Sequence, residues 1–186
     1  MIKFLGNTRS IIDWDEVISG LENCDHETHS GPERGPVHKK GDPIPLLNQV
    51  TDIWFREGYK SINLGGTVGW DMFFPGVHYD QSIEDRFCDF FKIKPNSRSW
   101  ISRIWPGHQA PIHWDVHDDE EILLTQPDMP RWHCHIGKPT FGHLFVCENQ
   151  VFYNKKQGDT FRWDSRRYWH AGTNCGLTPK YLFNLY

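Results

Sequence analysis

Three His-x-Asp pairs are the feature of this sequence most able to do chemistry: His78/Asp80, His113/Asp115 and His117/Asp119. Side chains two residues apart on a strand project from the same side of the sheet, so one imidazole and one carboxylate can reach the same ion. With a histidine from another strand, they form a ligand set that suits Fe(II) and leaves positions open for O2 and a cosubstrate. Because the chain has 11 histidines, chance alone supplies about one such pair. Spacing to other residues must therefore identify the relevant pair.

Four residues lie at offsets that favour His113/Asp115: Ser102, Arg131, His133 and Lys180. The first precedes His113 by eleven residues, and the last follows His170 by ten. The two middle residues share one side of a predicted strand. Taken singly, the four are explained as a small polar filler, a surface arginine, a core histidine and a solvated lysine. Their joint occurrence in this order is much harder to explain in that way.

A family resemblance is carried by four segments: ISRIWPGHQAPIHWD, RWHCHIGKP, GDTFRWDSRRYWHAGTN and PKYLFNLY. Over roughly residues 100–186, the chain resembles the aspartyl/asparaginyl β-hydroxylase family of Fe(II)- and 2-oxoglutarate-dependent oxygenases. The resemblance implies a double-stranded β-helix (jelly-roll, cupin-like) with His113, Asp115 and His170 as metal ligands. It also implies that the 2-oxoglutarate carboxylates are held by Ser102, Arg131, His133 and Lys180.

The same resemblance implies a reaction. An enzyme with Fe(II), 2-oxoglutarate and O2 would hydroxylate an unactivated C–H bond, here the β-carbon of Asp or Asn in a peptide or a related small substrate. Family members commonly have arginine where this chain has Lys180, which keeps the charge but loses the bidentate fork. The family's Asp-Ser pair before the distal histidine resembles Asp164-Ser165, but the gap to His170 is longer here.

Two other function classes remain open at this point. A non-oxidative metal-dependent cupin enzyme could use the same ligands with zinc or manganese, but it has no use for the carboxylate-binding residues. A non-catalytic ligand-binding barrel is the second alternative. The run His133-Cys134-His135 could suggest a zinc or copper site, but neighbouring strand residues point to opposite faces and cannot converge on one ion. We therefore interpret Cys134 as core and His135 as cavity wall.

The elements that must position these residues fall into two parts. Residues 1–95 are predicted to be a helical and loop-rich N-terminal layer, with helices at 13–22, 45–57 and 82–91, a polar loop at 22–42 and an extended segment at 61–76. Residues 96–186 alternate in short runs, which predicts a β-barrel core that carries the metal site. The expected fold is mainly β with flanking N-terminal helices, in a single domain over residues 1–186.

Composition narrows the possible partners. Lys and Arg number 20 against 24 Asp and Glu, so no basic surplus favours nucleic acid. No apolar run is long enough to span a membrane, and no signal peptide is evident, so we expect a cytoplasmic protein. Five widely spaced cysteines disfavour a disulfide framework. Because the sequence ends at the last predicted strand, without a further helix for a dimer interface, we also expect a monomer.

Overall fold

The computed structural model of the chain describes residues 2–24, 27–29, 38–39, 61–62, 67–68, 70–94, 99–113, 129–153, 155–165 and 168–185. The helices in these ranges are α1 (Trp14–Glu22) and α2 (Ser82–Phe91). The strands are β1 (Lys3–Asn7), β2 (Glu27–His29), β3 (His38–Lys39), β4 (Ser61–Ile62), β5 (Thr67–Val68), β6 (Trp70–Phe73), β7 (Ser99–Ile104), β8 (His108–His113), β9 (Arg131–His135), β10 (His143–Cys147), β11 (Gln150–Phe152), β12 (Asp159–Trp163), β13 (His170–Asn174) and β14 (Lys180–Leu185). None of the described helices is both long and apolar enough to cross a membrane.

Helix α1 begins where its capping residue predicts. The Asp13 side chain accepts hydrogen bonds from the backbone N–H groups of Asp15 (3.1 Å) and Glu16 (3.2 Å), which satisfies donors that lack a partner within the helix. Trp14 and Leu21 are buried. The predicted helix at 13–22 is therefore confirmed.

Helix α2 is also confirmed, and it ends at Lys92, whose φ of 56° is left-handed. Ile83 and Phe87 are buried as their spacing predicts, but Phe90 is 43% exposed and packs edge-on against Phe91. The third predicted helix, at 45–57, lies outside the described residues.

Eight strands form the barrel, and along the chain they alternate between two sheets, except that β10 and β11 are neighbours in the same sheet. One sheet contains the order β12-β9-β14-β7, and the other the order β11-β10-β13-β8. All the pairings within these two sets are antiparallel. This alternation between facing sheets is the double-stranded β-helix, or jelly roll. The predicted fold class, mainly β with helices flanking it, is therefore confirmed.

The N-terminal half differs from the expected helical and loop-rich layer because it also supplies sheet edges. Strand β1 extends the larger sheet beyond β12, and β6, β2 and β3 extend it beyond β7. Strands β4 and β5 pair with β8 in the smaller sheet. Most of these strands are only two to four residues long, too short for alternation to show. In β1 the first three residues are all exposed, so that strand has no two-residue pattern either.

The larger sheet has a different partner on each face. Ile101, Cys134 and Phe183 belong to one core cluster with the helix residues Trp14 and Phe87. Their strand neighbours Ser102, His133 and Asn184 line a cavity between the sheets. Because successive strand residues point to opposite faces, the same three strands build the helix-side core and the cavity wall.

Candidate functional site

The candidate site is the cavity enclosed by the two sheets. Polar residues of its wall are Ser102, Arg131, His133, His170 and Asn184. Apolar residues of the wall include Trp70, Trp100, Ile104, Ala110, Trp132, Phe145, Trp163, Gly172, Leu182 and Leu185. Four tryptophans and a small number of polar groups are typical of a ligand pocket. The fold thus brings residues from the beginning and the end of the barrel sequence into one cavity.

The two predicted histidine ligands meet across neighbouring strands. His113 at the end of β8 pairs directly with His170 at the start of β13, and the register shifts after this pair. Register, and not closeness in sequence, brings these two residues together. The His113 side chain and the whole of Asp115 lie outside the described part of the chain. Within the described residues there is no group of three or more His, Cys, Asp or Glu side chains placed to hold a metal ion.

A hydrogen bond to a backbone carbonyl just before β13 holds the His170 imidazole in one tautomer. Its Nδ1 lies 3.0 Å from the carbonyl oxygen of Tyr168. Since a carbonyl only accepts, Nδ1 carries the proton, and the neutral ring keeps its lone pair on Nε2. Metal-binding histidines are commonly oriented by such a hydrogen bond. The Trp163 and Phe145 rings flank the imidazole, with ring centroids 5.4 Å and 6.4 Å away.

A hydrogen-bonded chain crosses the cavity wall on the larger sheet. Trp100 Nε1 and Asn184 Nδ2 donate to Ser102 Oγ, at 3.0 Å and 3.1 Å. Asn184 Oδ1 accepts from His133 Nδ1 at 3.0 Å. Because both acceptor positions of Ser102 Oγ are used, its hydroxyl hydrogen is left to donate. Asn184 was missed by the sequence analysis, although alternation from Lys180 along β14 puts residue 184 on the same face.

His133 is neutral in this setting. Burial lowers its pKa well below the ordinary value, and the nearby charges of Lys180 and Lys155 lower it further. The ring stacks on Phe145 at 4.3 Å between centroids. Its Nε2 is buried and has no hydrogen-bond partner in the part of the chain that the structure describes. A buried polar atom of this kind is expected to have a ligand or water as its partner.

Lys180 reaches inward from the first position of β14. The side chain is 1% exposed, and its ammonium group donates to the carbonyl oxygen of Leu144. Burial lowers the pKa of Lys180 to about 7. A Cβ added to Gly172, which lines the cavity, would lie 3.6 Å from Nζ. The ammonium group therefore sits directly behind the cavity wall.

Lys155 is a second buried lysine, and sequence reasoning gave no signal for it because it lies between strands β11 and β12. Its ammonium donates to the Phe152 carbonyl at 2.9 Å. The rings of Phe145, Phe152 and Phe161 surround Nζ at 5.2–5.6 Å. Burial lowers the pKa of Lys155 to about 6, and the charge of Lys180 also lowers it.

Arg131, at the start of β9, is 5% exposed and lines the cavity, so all four residues predicted to hold 2-oxoglutarate lie on or just behind one wall. Asp164 does not join them, since it pairs with Arg162 at 2.9 Å. Cys134 points to the helix-side core and contacts Thr8 Oγ1 at 3.4 Å. His135 is buried beside His133, 5.1 Å between ring centroids.

His78, from a competing His-x-Asp pair, has a structural partner. Its Nδ1 accepts a hydrogen bond from the backbone N–H of Phe74 at 3.0 Å. Its ring also meets Phe73 edge-on, at 5.7 Å between centroids. The residue therefore stabilises the turn after β6. The third pair, His117/Asp119, lies outside the described residues.

Comparison with known proteins establishes the fold. No protein-family model matches the sequence, and no curated protein matches it. A prolyl hydroxylase from Trichoplax adhaerens, solved with a hypoxia inducible factor peptide fragment, has a TM-score of 0.60 at 10% identity, over 99% of this chain and 81% of that one. The viral collagen prolyl hydroxylase of Paramecium bursaria Chlorella virus-1 has a TM-score of 0.54 at 15% identity, over 99% and 87%. A 2OG-Fe(II) oxygenase family oxidoreductase from Burkholderia pseudomallei has a TM-score of 0.43 at 14% identity, over 75% and 76%.

Proposed function

We propose that this protein is an Fe(II)- and 2-oxoglutarate-dependent oxygenase that hydroxylates an unactivated C–H bond. The observation that carries the proposal is that two sets of predicted residues lie on the two sheets that border one cavity. His113 and His170 are paired across β8 and β13. Lys180 and the hydrogen-bonded residues Ser102, Asn184 and His133 lie on the facing sheet. The prolyl hydroxylase folds of the solved neighbours support the same reaction class.

The donor set fits Fe(II). His113, Asp115 and His170 would hold the metal, and the hydrogen bond from His170 Nδ1 to Tyr168 leaves Nε2 in the form that a metal requires. Bound Fe(II) would supply O2 activation, coupling the oxidative decarboxylation of 2-oxoglutarate to succinate and CO2 with hydroxylation of the substrate.

The protein's own residues would bind and orient the cosubstrate. The Lys180 ammonium would pair with the distal carboxylate, a charge-assisted hydrogen bond that is strong in a buried setting. Ser102 would donate its hydroxyl hydrogen, and Arg131 and His133 would complete the polar wall. Trp163 and Phe145 flank His170 and would exclude water from the reacting side, which strengthens these electrostatic contacts.

The substrate proposed is a peptide or an amino-acid-like molecule. The aspartyl/asparaginyl β-hydroxylase resemblance favours the β-carbon of an Asp or Asn residue. The Trichoplax neighbour was solved with a peptide fragment, which supports a peptide as the chemical class. The four tryptophans of the cavity wall provide flat apolar surface against which a peptide side chain can pack.

The test compares three single histidine variants. We expect the wild-type protein, with Fe(II) and 2-oxoglutarate in air, to form succinate, and more of it with a matching peptide from a panel of Asp, Asn and Pro peptides. His113→Ala should abolish iron binding and succinate formation. His78→Ala removes only a turn contact, so it should keep both, as should His117→Ala. Iron is measured by metal analysis after gel filtration, and succinate by mass spectrometry.

The opposite pattern, with iron lost in His78→Ala and kept in His113→Ala, would overturn the ligand assignment. Absence of succinate from folded, iron-loaded wild-type protein across the panel would favour the non-oxidative cupin or the binding barrel.

A further inference from the structure

Gly172 occupies a strand position whose backbone does not require glycine. It lies in the middle of β13, paired with Phe145 on one side and Ala110 on the other. Glycines with positive φ in the described chain are Gly6, Gly76, Gly107, Gly142 and Gly158. Gly172 is not among them, so a residue with a side chain can adopt its conformation. A glycine inside a strand also weakens it, and often marks a place where another group approaches closely.

Packing against the backbone does not explain this glycine either. A Cβ at Gly142 or Gly176 would come within 2.3 Å of backbone atoms. At Gly172 the nearest atoms would be Ile104 Cδ1 at 3.3 Å and Lys180 Nζ at 3.6 Å. Both are ends of side chains, one a methyl group and the other the ammonium. Because residue 172 has no side chain, the space between the cavity and Lys180 is left open.

Within the described part of the chain, no carboxylate neutralises the buried ammonium of Lys180. Its described hydrogen-bond partner is the carbonyl of Leu144. The buried carboxylates in the described chain are Asp71 and Glu84. Asp71 pairs with Arg103, and Glu84 accepts from Ser99. A buried charge needs a counter-charge, and the cavity-lining Gly172 is close to this ammonium, since a Cβ there would lie 3.6 Å from Nζ.

We infer that Gly172, together with Ile104, sets the length of the oxo diacid that the cavity accepts. The inference rests on the proposed function and deepens it. The bare backbone at residue 172 leaves an opening through which a distal carboxylate contacts Lys180 Nζ, and the Ile104 methyl group forms the floor of that opening. A Cβ at residue 172 shortens the opening by about one carbon–carbon bond, or about 1.5 Å. That distance matches the difference between 2-oxoglutarate and oxaloacetate, which has one methylene fewer.

The test measures oxo-acid binding without turnover. Mn(II)-loaded protein is titrated by calorimetry with 2-oxoglutarate, oxaloacetate, 2-oxoadipate and 2-oxovalerate, which lacks the distal carboxylate. The wild type should prefer 2-oxoglutarate. Gly172→Ala should weaken 2-oxoglutarate binding by at least about tenfold, the range expected for one methyl group in a fitted pocket, and should shift the preference to oxaloacetate. Gly20→Ala is the matched control, because a Cβ there meets nothing within 4 Å.

Ile104→Val gives an independent measurement, which also decides the question if Gly172→Ala fails to fold. Removing Cδ1 lowers the floor of the opening, so the affinity for 2-oxoadipate relative to 2-oxoglutarate should rise by at least about threefold. Unchanged ratios among the diacids in the folded variants would overturn the role of Gly172 and Ile104 while leaving the proposed function intact. Failure of the wild-type Mn(II) protein to bind any oxo acid would instead overturn the proposed function.

Discussion

At each of two cavity histidines, one hydrogen bond determines which ring nitrogen can contact a metal or a ligand. His170 donates through Nδ1 to the Tyr168 carbonyl, and His133 donates through Nδ1 to Asn184. With the proton on Nδ1, the neutral form of each ring has its lone pair on Nε2. For His170 this is the form that binds a metal. For His133 it means that Nε2 accepts, so a carboxylate can contact it only when the ring gains a proton.

Lys180 is the residue whose role is most open to test. Removing its ammonium leaves the distal carboxylate of 2-oxoglutarate without a charged partner in a buried site, at a cost of about 2–5 kcal/mol. Lys180→Ala should therefore weaken 2-oxoglutarate binding by roughly 30-fold or more. Lys180→Arg should recover much of the affinity, since a guanidinium fork accepts the same carboxylate.

Calorimetry with 2-oxoglutarate and metal analysis of the same Lys180 samples separate binding from folding. A purely structural lysine would give equal losses of iron and 2-oxoglutarate. Unchanged 2-oxoglutarate affinity in folded Lys180→Ala protein would move the anchor role to Arg131.

At the scale of elements, helix α1 depends on its capping residue, which precedes its first turn. Asp13 accepts two backbone N–H groups, and its replacement by Ala should lower the free energy of unfolding by about 1 kcal/mol. Asp13→Asn keeps the capping oxygen, so urea denaturation should show almost no loss. If the Asn variant loses as much as the Ala variant, the stabilisation comes from the charge of Asp13 and not from the cap.

The sequence predicted those elements whose positions are determined by residues close together in the chain. Caps and spacing were sufficient for α1 and α2, and two-residue alternation placed Ser102 on β7 and His133 on β9. Strands β4 to β6 lie within the segment 61–76 that the sequence predicts to be extended. Strands β2 and β3, in the predicted polar loop at 22–42, and β1 could not be found in this way, because they are short or lack alternation and are held by pairing with other strands. Nor could the sequence show that His113 and His170 are opposite each other, since register depends on the whole barrel. Gly172 and Lys155 became informative only once their neighbours were known.

At the scale of the whole molecule, the interior of the barrel contains several buried basic side chains in a protein whose net charge is −4. Lys155 and Lys180 are 9% and 1% exposed, and His133 and His135 lie close enough for both lysines to lower their pKa values. Burial of these groups lowers the free energy of unfolding of the protein without a ligand. A bound anion inside the barrel would offset that cost. Single-domain organisation and a monomeric state stay predictions.

Stability should rise with pH between about 7 and 9, since the pKa of Lys180 is lowered to about 7 and that of Lys155 to about 6. Over this interval the unfolded chain keeps both lysine protons and the native protein releases them. The free energy of unfolding then rises with pH, each lysine contributing at most about 1.4 kcal/mol per pH unit. Above pH 9 the rise becomes shallower, because burial raises the pKa of Cys134 to about 12 and unfolding then releases that proton while the two lysines still take up theirs.

The measurement is urea denaturation from pH 6.5 to 8.5, with Lys155→Met as the informative variant. Methionine fills the space among the three phenylalanines without a charge, so it should remove about half of the pH slope. It should also stabilise the protein more at pH 6.5 than at pH 8.5, because releasing the Lys155 proton on folding costs more free energy at lower pH. Added 2-oxoglutarate with Mn(II) should likewise stabilise most at low pH, where the Lys180 ammonium is charged. A slope identical in wild type and Lys155→Met would mean that Lys155 keeps its proton throughout, with the three aromatic rings and the Phe152 carbonyl sufficient to hold the charge.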